Sequence, residues 1–335
     1  MQKKWIALLC ALMLLGAGTL AAHALDVPHK LKVTVTFNAM REFVTAVGGD
    51  KVEIITIVPD GMEPHGFEPK ARDIAALSSA HILVYSGLGM EAWVDDVTKA
   101  ANNPDLIVVD ASQGADILYL EDAHGAEHGG EADHQGEEQA KEDNHSEEAN
   151  RPGQDGPAET DSHNHGGIDP HLWLSLKGAA VQAGNIRDAL VSADPANKDS
   201  YEQNYAAFAA QLDDLFTEYE AKFQTTTRKS FVTGHAAFGY LCRDFGLHQN
   251  SVEDVFAEGQ PTAQQLAKLV AYSRDNNVTT IFSESMVSPQ VSQTLANEIG
   301  AKVETIYTIA SNENDLSYLE RMRFNLETIY ASLTD

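Results

Sequence analysis

The sequence predicts an α/β protein of two lobes, each a mostly parallel sheet covered by helices, with one long helix between them. Three observations carry this. Short β-branched or apolar runs alternate with helical patterns from residue 31 to residue 109, and the same alternation returns after residue 228. Between the halves runs one apolar stripe at helical spacing. The 43% hydrophobic content is enough to build cores, which argues against a wholly disordered chain.

Met1 to Ala24 reads as a secretory signal. Lys3 and Lys4 supply its basic start, Ile6 to Leu15 its apolar run, and Ala22-His23-Ala24 its small-x-small cleavage site. A membrane-spanning helix needs ~20 apolar residues, and this run is shorter. Cys10 sits inside the run after Leu9 rather than a small residue, so it does not read as a lipid-attachment site. Cleavage after Ala24 would place the protein in the periplasm with one cysteine, Cys242. An internal disulfide is then excluded, and Cys242 reads as a small buried hydrophobe in a helix.

In the first half, Leu31–Phe37, Val52–Val58, Ile82–Tyr85 and Leu106–Val109 are the strand candidates. Ala39–Val47, Ala71–Ser78 and Met90–Ala100 are the helices between them. Residues 121–165 have the wrong composition for a fold. They hold fourteen acidic residues, two basic ones and six histidines, His124, His128, His134, His145, His163 and His165. Such a tract buries too little apolar surface to offset its ordering entropy and is expected to be disordered. The long helix is expected to start with Asp194 as N-cap and Pro195 as first helical residue. Its stripe is Tyr201, Tyr205, Phe208, Leu212, Leu215, Tyr219 and Phe223. A helix of roughly thirty residues is about 45 Å long, enough to run across both lobes.

In the second half, Ser230–Thr233, Gln249–Val252, Val278–Ser283 and Lys302–Tyr307 are strands. Thr262–Asp275 is a helix opened by a capping box of Thr262 with Gln265, and Gln290–Ile299 and Leu316–Leu333 are two more. The expected division is a signal over 1–24, a first lobe over 25–193, the linking helix over 194–225 and a second lobe over 226–335.

The net charge of −27 argues against a nucleic-acid partner, since no basic cluster is present. Two cysteines exclude a disulfide scaffold and a four-cysteine zinc site. Four positions stand out, each at a strand end or in a tight polar turn: His65, His171, His235 and Glu284. Ligands in open parallel sheets bind beyond the carboxyl ends of the strands, so two facing sheets would bring these turns into one cleft. Three imidazoles and a carboxylate suit Zn²⁺, whereas more carboxylates would favour Mn²⁺. A single histidine after a strand is more often a hydrogen-bonded turn residue, and His29, His81 and His248 are read that way.

The chain resembles the zinc-type periplasmic substrate-binding proteins of bacterial metal ABC importers along nearly all of the mature sequence. The resemblance rests on Pro64-His65-Gly66-Phe67-Glu68-Pro69, Gly87-Leu88-Gly89-Met90-Glu91-Ala92-Trp93, Asp169-Pro170-His171-Leu172-Trp173-Leu174, His235-Ala236-Ala237-Phe238-Gly239-Tyr240 and Glu284-Ser285-Met286-Val287-Ser288-Pro289, in that order around an acidic histidine-rich insert. It implies two α/β lobes joined by a rigid helix, with the metal in the cleft between them. It implies ligand roles for His65, His171 and His235, and a fourth, carboxylate role for Glu284, at a place that relatives fill variously or with water. His235 stands where manganese-type relatives tend to have a carboxylate. His81 stands where the family commonly has Asp, and some relatives have a second-lobe disulfide that this chain cannot form.

The implied function is capture of Zn²⁺ outside the cytoplasm and delivery to a membrane permease of an ABC importer; the chain is expected to be a monomer and not an enzyme. Three histidines and a carboxylate close the coordination shell, whereas a catalytic zinc keeps a position open. A zinc-dependent metallohydrolase is the main alternative, and a manganese-binding or adhesin-type relative is another. No His-Glu-x-x-His is present. The six loop histidines, interleaved with carboxylates, are expected to hold further cations weakly.

Overall fold

The computed structural model describes residues 30–120, 167–256, 261–284 and 289–334. The expected signal, His29 and the six loop histidines lie outside the described residues.

The first half runs β1 (Leu31–Val35), α1 (Asn38–Gly48), β2 (Val52–Thr56), α2 (Ala71–Leu77), β3 (Ile82–Tyr85), α3 (Val94–Ala101) and β4 (Ile107–Asp110). All its strand pairs are parallel, in the order β2-β1-β3-β4, with Leu31 opposite Val52 and Val33 opposite Ile82. Parallel neighbours need a crossover, and the helices supply it while covering the sheet. In α1, Ala39, Met40, Phe43, Val44 and Val47 recur three or four residues apart and are all buried.

Two further helices follow, α4 (Leu176–Ala193) and α5 (Lys198–Thr225). The second half then runs β5 (Ser230–His235), α6 (Gly239–Phe245), β6 (His248–Glu253), α7 (Ala263–Asp275), β7 (Thr280–Ser283), α8 (Pro289–Ile299), β8 (Lys302–Thr305) and α9 (Tyr318–Thr334). Its sheet repeats the first, parallel throughout in the order β6-β5-β7-β8. Two parallel sheets flanked by helices, with a long helix between them in sequence, are the predicted fold class.

The apolar stripe of α5 is buried at Tyr201, Phe208, Leu212, Leu215, Tyr219 and Phe223. Its 28 residues make a rod about 42 Å long. The rod packs on α1 and α4, then on α6 and α9. Phe208 lies 6.0 Å from Phe43 in α1 and 6.1 Å from Tyr318 in α9, ring centre to ring centre. One apolar cluster therefore runs continuously from the first sheet through α5 to α9. Cys242 is buried within it, in α6, as its sequence context implied.

Strand ends shift by a few residues from the sequence reading, and three helices depart from it for identifiable reasons. Helix α3 starts at Val94 rather than Met90, because Gly87, Leu88 and Gly89 take positive φ of 89°, 57° and 86° and turn the chain first. Asp194 does not cap α5: Pro195–Asn197 form a separate 3₁₀ turn, and α5 begins three residues later. The Asp194 carboxylate instead accepts from Tyr201 Oη at 2.9 Å and from Asn197 Nδ2 at 2.6 Å. Helix α4, not singled out in the sequence, is capped by Ser175, whose Oγ accepts from Gly178 N at 2.9 Å. The capping box of α7 forms as read, with Thr262 N donating to Gln265 Oε1 at 2.8 Å and Gln265 N to Thr262 Oγ1 at 3.2 Å.

Candidate metal centre

His65 sits in the turn region after β2, where Phe67 N donates to Pro64 O and the Phe67 ring is buried against Trp93. His171 follows Asp169-Pro170 and precedes a 3₁₀ turn, Leu172–Leu174, whose three side chains are all buried. Trp173 anchors that turn across to the second half: its Nε1 donates to Thr308 O at 2.8 Å, and Tyr318 Oη donates to Trp173 O at 2.7 Å. His235 is the last residue of β5, the inner strand at which the order of the second sheet reverses. The carboxyl end of such a strand is where an open α/β sheet presents ligand groups.

These three turns bring three imidazole nitrogens to one point. His171 Nε2 lies 3.0 Å from His65 Nε2 and 3.1 Å from His235 Nε2. The three side chains form a group whose ligand atoms all fall within 4.8 Å of one another. Ligands about 2.0–2.1 Å from a tetrahedral zinc lie about 3.3 Å apart, so the observed spacing is close to three corners of that polyhedron. His171 and His235 are buried, and the Phe256 ring meets His65 edge-on at 5.9 Å.

The surroundings of His235 and His171 bear on how they could bind a metal. A metal-binding imidazole must be unprotonated. Burial, then the neighbouring His171 and His65, hold His235 well below the ordinary histidine pKa. Asp169 Oδ1 accepts from His171 Nδ1 at 2.8 Å, leaving Nε2 to face the centre.

Glu284 is adjacent but stands one step back. Its Oε1 accepts from the backbone N of His235 at 3.1 Å and lies 4.0 Å from His235 Nδ1, the nitrogen facing away from the other imidazoles. Glu284 Oε2 and His235 Nδ1 are both buried without a hydrogen-bond partner among the described residues. Burial outweighs the backbone amides and pushes the Glu284 carboxyl up to about 8. The structure thus brings together three of the four predicted side chains, and Glu284 is not in that group. His81 is a turn residue as read, its Nδ1 accepting from Lys32 N at 2.9 Å.

Two acidic residues near the centre had no assigned role in the sequence reading. Asp169 was legible only as part of Asp-Pro-His. Glu63, two residues before His65, places Oε1 3.9 Å from His65 Nε2, on the side where the imidazoles converge. Burial raises the Glu63 carboxyl above its ordinary range, against the opposing pull of His171.

Residues 33–332 match the family model described as the periplasmic component A of the zinc-uptake complex, ZnuA. The chain belongs to that family. Among its relatives, a putative metal-binding protein of Treponema pallidum is 42% identical over 90% of this chain and 86% of its own length. The high-affinity zinc uptake system protein ZnuA of Bacillus subtilis is 35% identical, with 99% of each chain covered. Among solved structures, the laminin-binding protein Lmb of Streptococcus agalactiae superposes with a TM-score of 0.74 at 28% identity, covering 91% of this chain and all of that one. Membership in the zinc-uptake component A family makes this a metal-binding transport component and not an enzyme, which sets aside the metallohydrolase reading.

Proposed function

We propose that the protein captures Zn²⁺ outside the cytoplasm with the side chains of His65, His171 and His235 and delivers it, as a monomer, to the membrane permease of an ABC importer. The convergence of three Nε2 atoms at 3.0 and 3.1 Å carries the reading. Three imidazole donors favour zinc over manganese, which prefers oxygen donors. Oε2 of Glu284, without a hydrogen-bond partner among the described residues, is the oxygen available to complete the shell; burial favours its protonated form, so binding the dication there would release that proton and leave a negative charge against the ion. Among the described residues no helix is long and apolar enough to cross a membrane. Export by a leader cleaved after Ala24 fits the periplasmic description of the family.

Calorimetric titration of the metal-free protein tests this. One tight zinc site is expected, with manganese binding far weaker. His65→Ala, His171→Ala and His235→Ala should each abolish the tight site, and Glu284→Gln should weaken it. Tight binding retained in all three histidine variants would refute the assignment. Residues 121–165 are proposed as a reservoir of weaker cation sites, supported by six histidines among fourteen carboxylates. Their deletion should remove the weak sites and spare the tight one.

A second reading, adhesion to an extracellular matrix protein, is favoured by the likeness to the Streptococcus agalactiae protein, described as bifunctional with adhesin and metal transporting activity. Saturable binding of the zinc-loaded protein to immobilised laminin would support it, and no retention would exclude it.

A further inference from the structure

We propose that Asp169 is a positioning residue that presets His171 for the ion, and that Gly239 of the second half keeps the Asp169 carboxylate in place. The inference rests on His171 being a zinc ligand and goes beyond that assignment. A single oxygen, Asp169 Oδ1, accepts from both His171 N at 2.9 Å and His171 Nδ1 at 2.8 Å. Asp169 is 2% exposed, so this pairing is shielded from water. A carboxylate oxygen can only accept, so Nδ1 carries the proton and the Nε2 lone pair points at the other two imidazoles. His235 lacks such a partner: its Nδ1 is buried without one among the described residues. His171 and His235 are therefore unequal donors, and the tautomer of His171, which lies between the other two imidazoles, is fixed in advance.

Asp169 itself is held from both halves. Its N donates to Leu118 O at 3.0 Å, and its carbonyl accepts from Tyr240 Oη at 2.9 Å. Gly239, the first residue of α6 and four residues beyond His235, backs the carboxylate. A Cβ there would lie 2.5 Å from Asp169 Oδ2 and 2.9 Å from Leu118 Cδ2. Both are closer than real Cβ contacts allow, and the carboxylate is tethered by its two hydrogen bonds to His171. A side chain at 239 must therefore displace the group that orients a ligand 68 residues earlier in the chain (239 − 171). This explains a glycine where the backbone does not require one, since Gly239 is not among the positive-φ glycines.

The test measures zinc affinity by chelator competition, and the ¹⁵N shifts of the His171 imidazole in the metal-free full chain. Wild type, Asp169→Asn and Gly239→Ala are compared, with His171→Ala as reference and for assignment of the signals. Wild type should show His171 protonated on Nδ1. Asp169→Asn should lower zinc affinity about 10- to 100-fold and move His171 toward the Nε2-protonated form. Gly239→Ala should do the same to a smaller degree with the His171–Asp169 pair chemically intact, and it serves alone if Asp169→Asn does not fold. A wild-type tautomer and affinity in the folded variants, with binding lost in His171→Ala, would overturn the role of Asp169 and leave the metal site standing. Unchanged affinity in His171→Ala as well would remove both.

Discussion

At the scale of single residues, burial decides the protonation of the polar groups near the strand ends. Glu91 shows it away from the metal centre. Its Oε1 accepts from Thr36 Oγ1 at 2.6 Å and Ser86 N at 2.8 Å, and its Oε2 from Gly87 N at 3.1 Å. It thereby ties together the ends of β1 and β3, where the first sheet reverses its strand order. The equivalent place in the second sheet lies between β5 and β7, which end near His235 and Glu284. The first of these places is filled by the protein's own carboxyl, and the second lies beside the candidate metal centre. Burial raises Glu91 to about 7, against an ordinary 4.5. Below pH 4.5 both folded and unfolded chains hold that proton, and Glu91 imposes no pH-dependent cost. Between 4.5 and about 7 the unfolded chain releases it first, so stability falls as pH rises, and above 7 the loss is complete. Relative to wild type, Glu91→Gln should therefore gain up to about 3 kcal/mol between pH 4.5 and 7 and nothing further above. Urea unfolding of the metal-free proteins at pH 4.5, 6 and 8 measures it, and a stability difference independent of pH would contradict it.

At the scale of elements, α5 does the joining. Leu212 is 1% exposed on its buried stripe. Leu212→Ala should cost about 2–5 kcal/mol by leaving a cavity, while Glu220→Ala on the exposed face should stay within about 0.5 kcal/mol. Equal unfolding midpoints for the two variants would show that the stripe does not hold the helix. The stripe was legible because large side chains recur at a helical period over 23 positions, from Tyr201 to Phe223. Helix α4 was harder to read. Its buried face is Leu176, Gly178, Ala179, Gln182, Ala183, Ile186 and Leu190, where small residues let neighbours approach and weaken the apolar signal. Gly178 shows how close they come: a Cβ there would lie 2.3 Å from Leu172 O. The start of α5 was misread because Asp-Pro is an N-terminal signal for any helix, and here it opens a 3₁₀ turn.

At the scale of the whole molecule, the three histidines proposed as ligands come from segments 106 and 64 residues apart and meet only in the folded chain. An ion that binds only the folded state stabilises it, by about 2.7 kcal/mol at a hundredfold excess over Kd. Zinc at that excess should raise the Tm by about 5 °C or more, and His235→Ala should lose most of the rise. A full rise in that variant would place the stabilising ion elsewhere. The three histidines were legible because each sits at a strand end or in a distinctive polar turn. Their distances were not, nor was the retreat of Glu284 behind His235, because these follow from how remote turns pack. Asp169 was missed for a related reason: an aspartate two residues before a histidine is unremarkable until burial joins them.

The most direct measurement is X-ray absorption at the zinc edge on the full chain carrying one equivalent of zinc. The expected first shell is nitrogen and oxygen at about 2.0–2.1 Å, with the outer-shell scattering of three imidazoles, falling to two in each of His65→Ala, His171→Ala and His235→Ala at zinc concentrations high enough to load them. An imidazole count that stays the same in those variants would contradict the site.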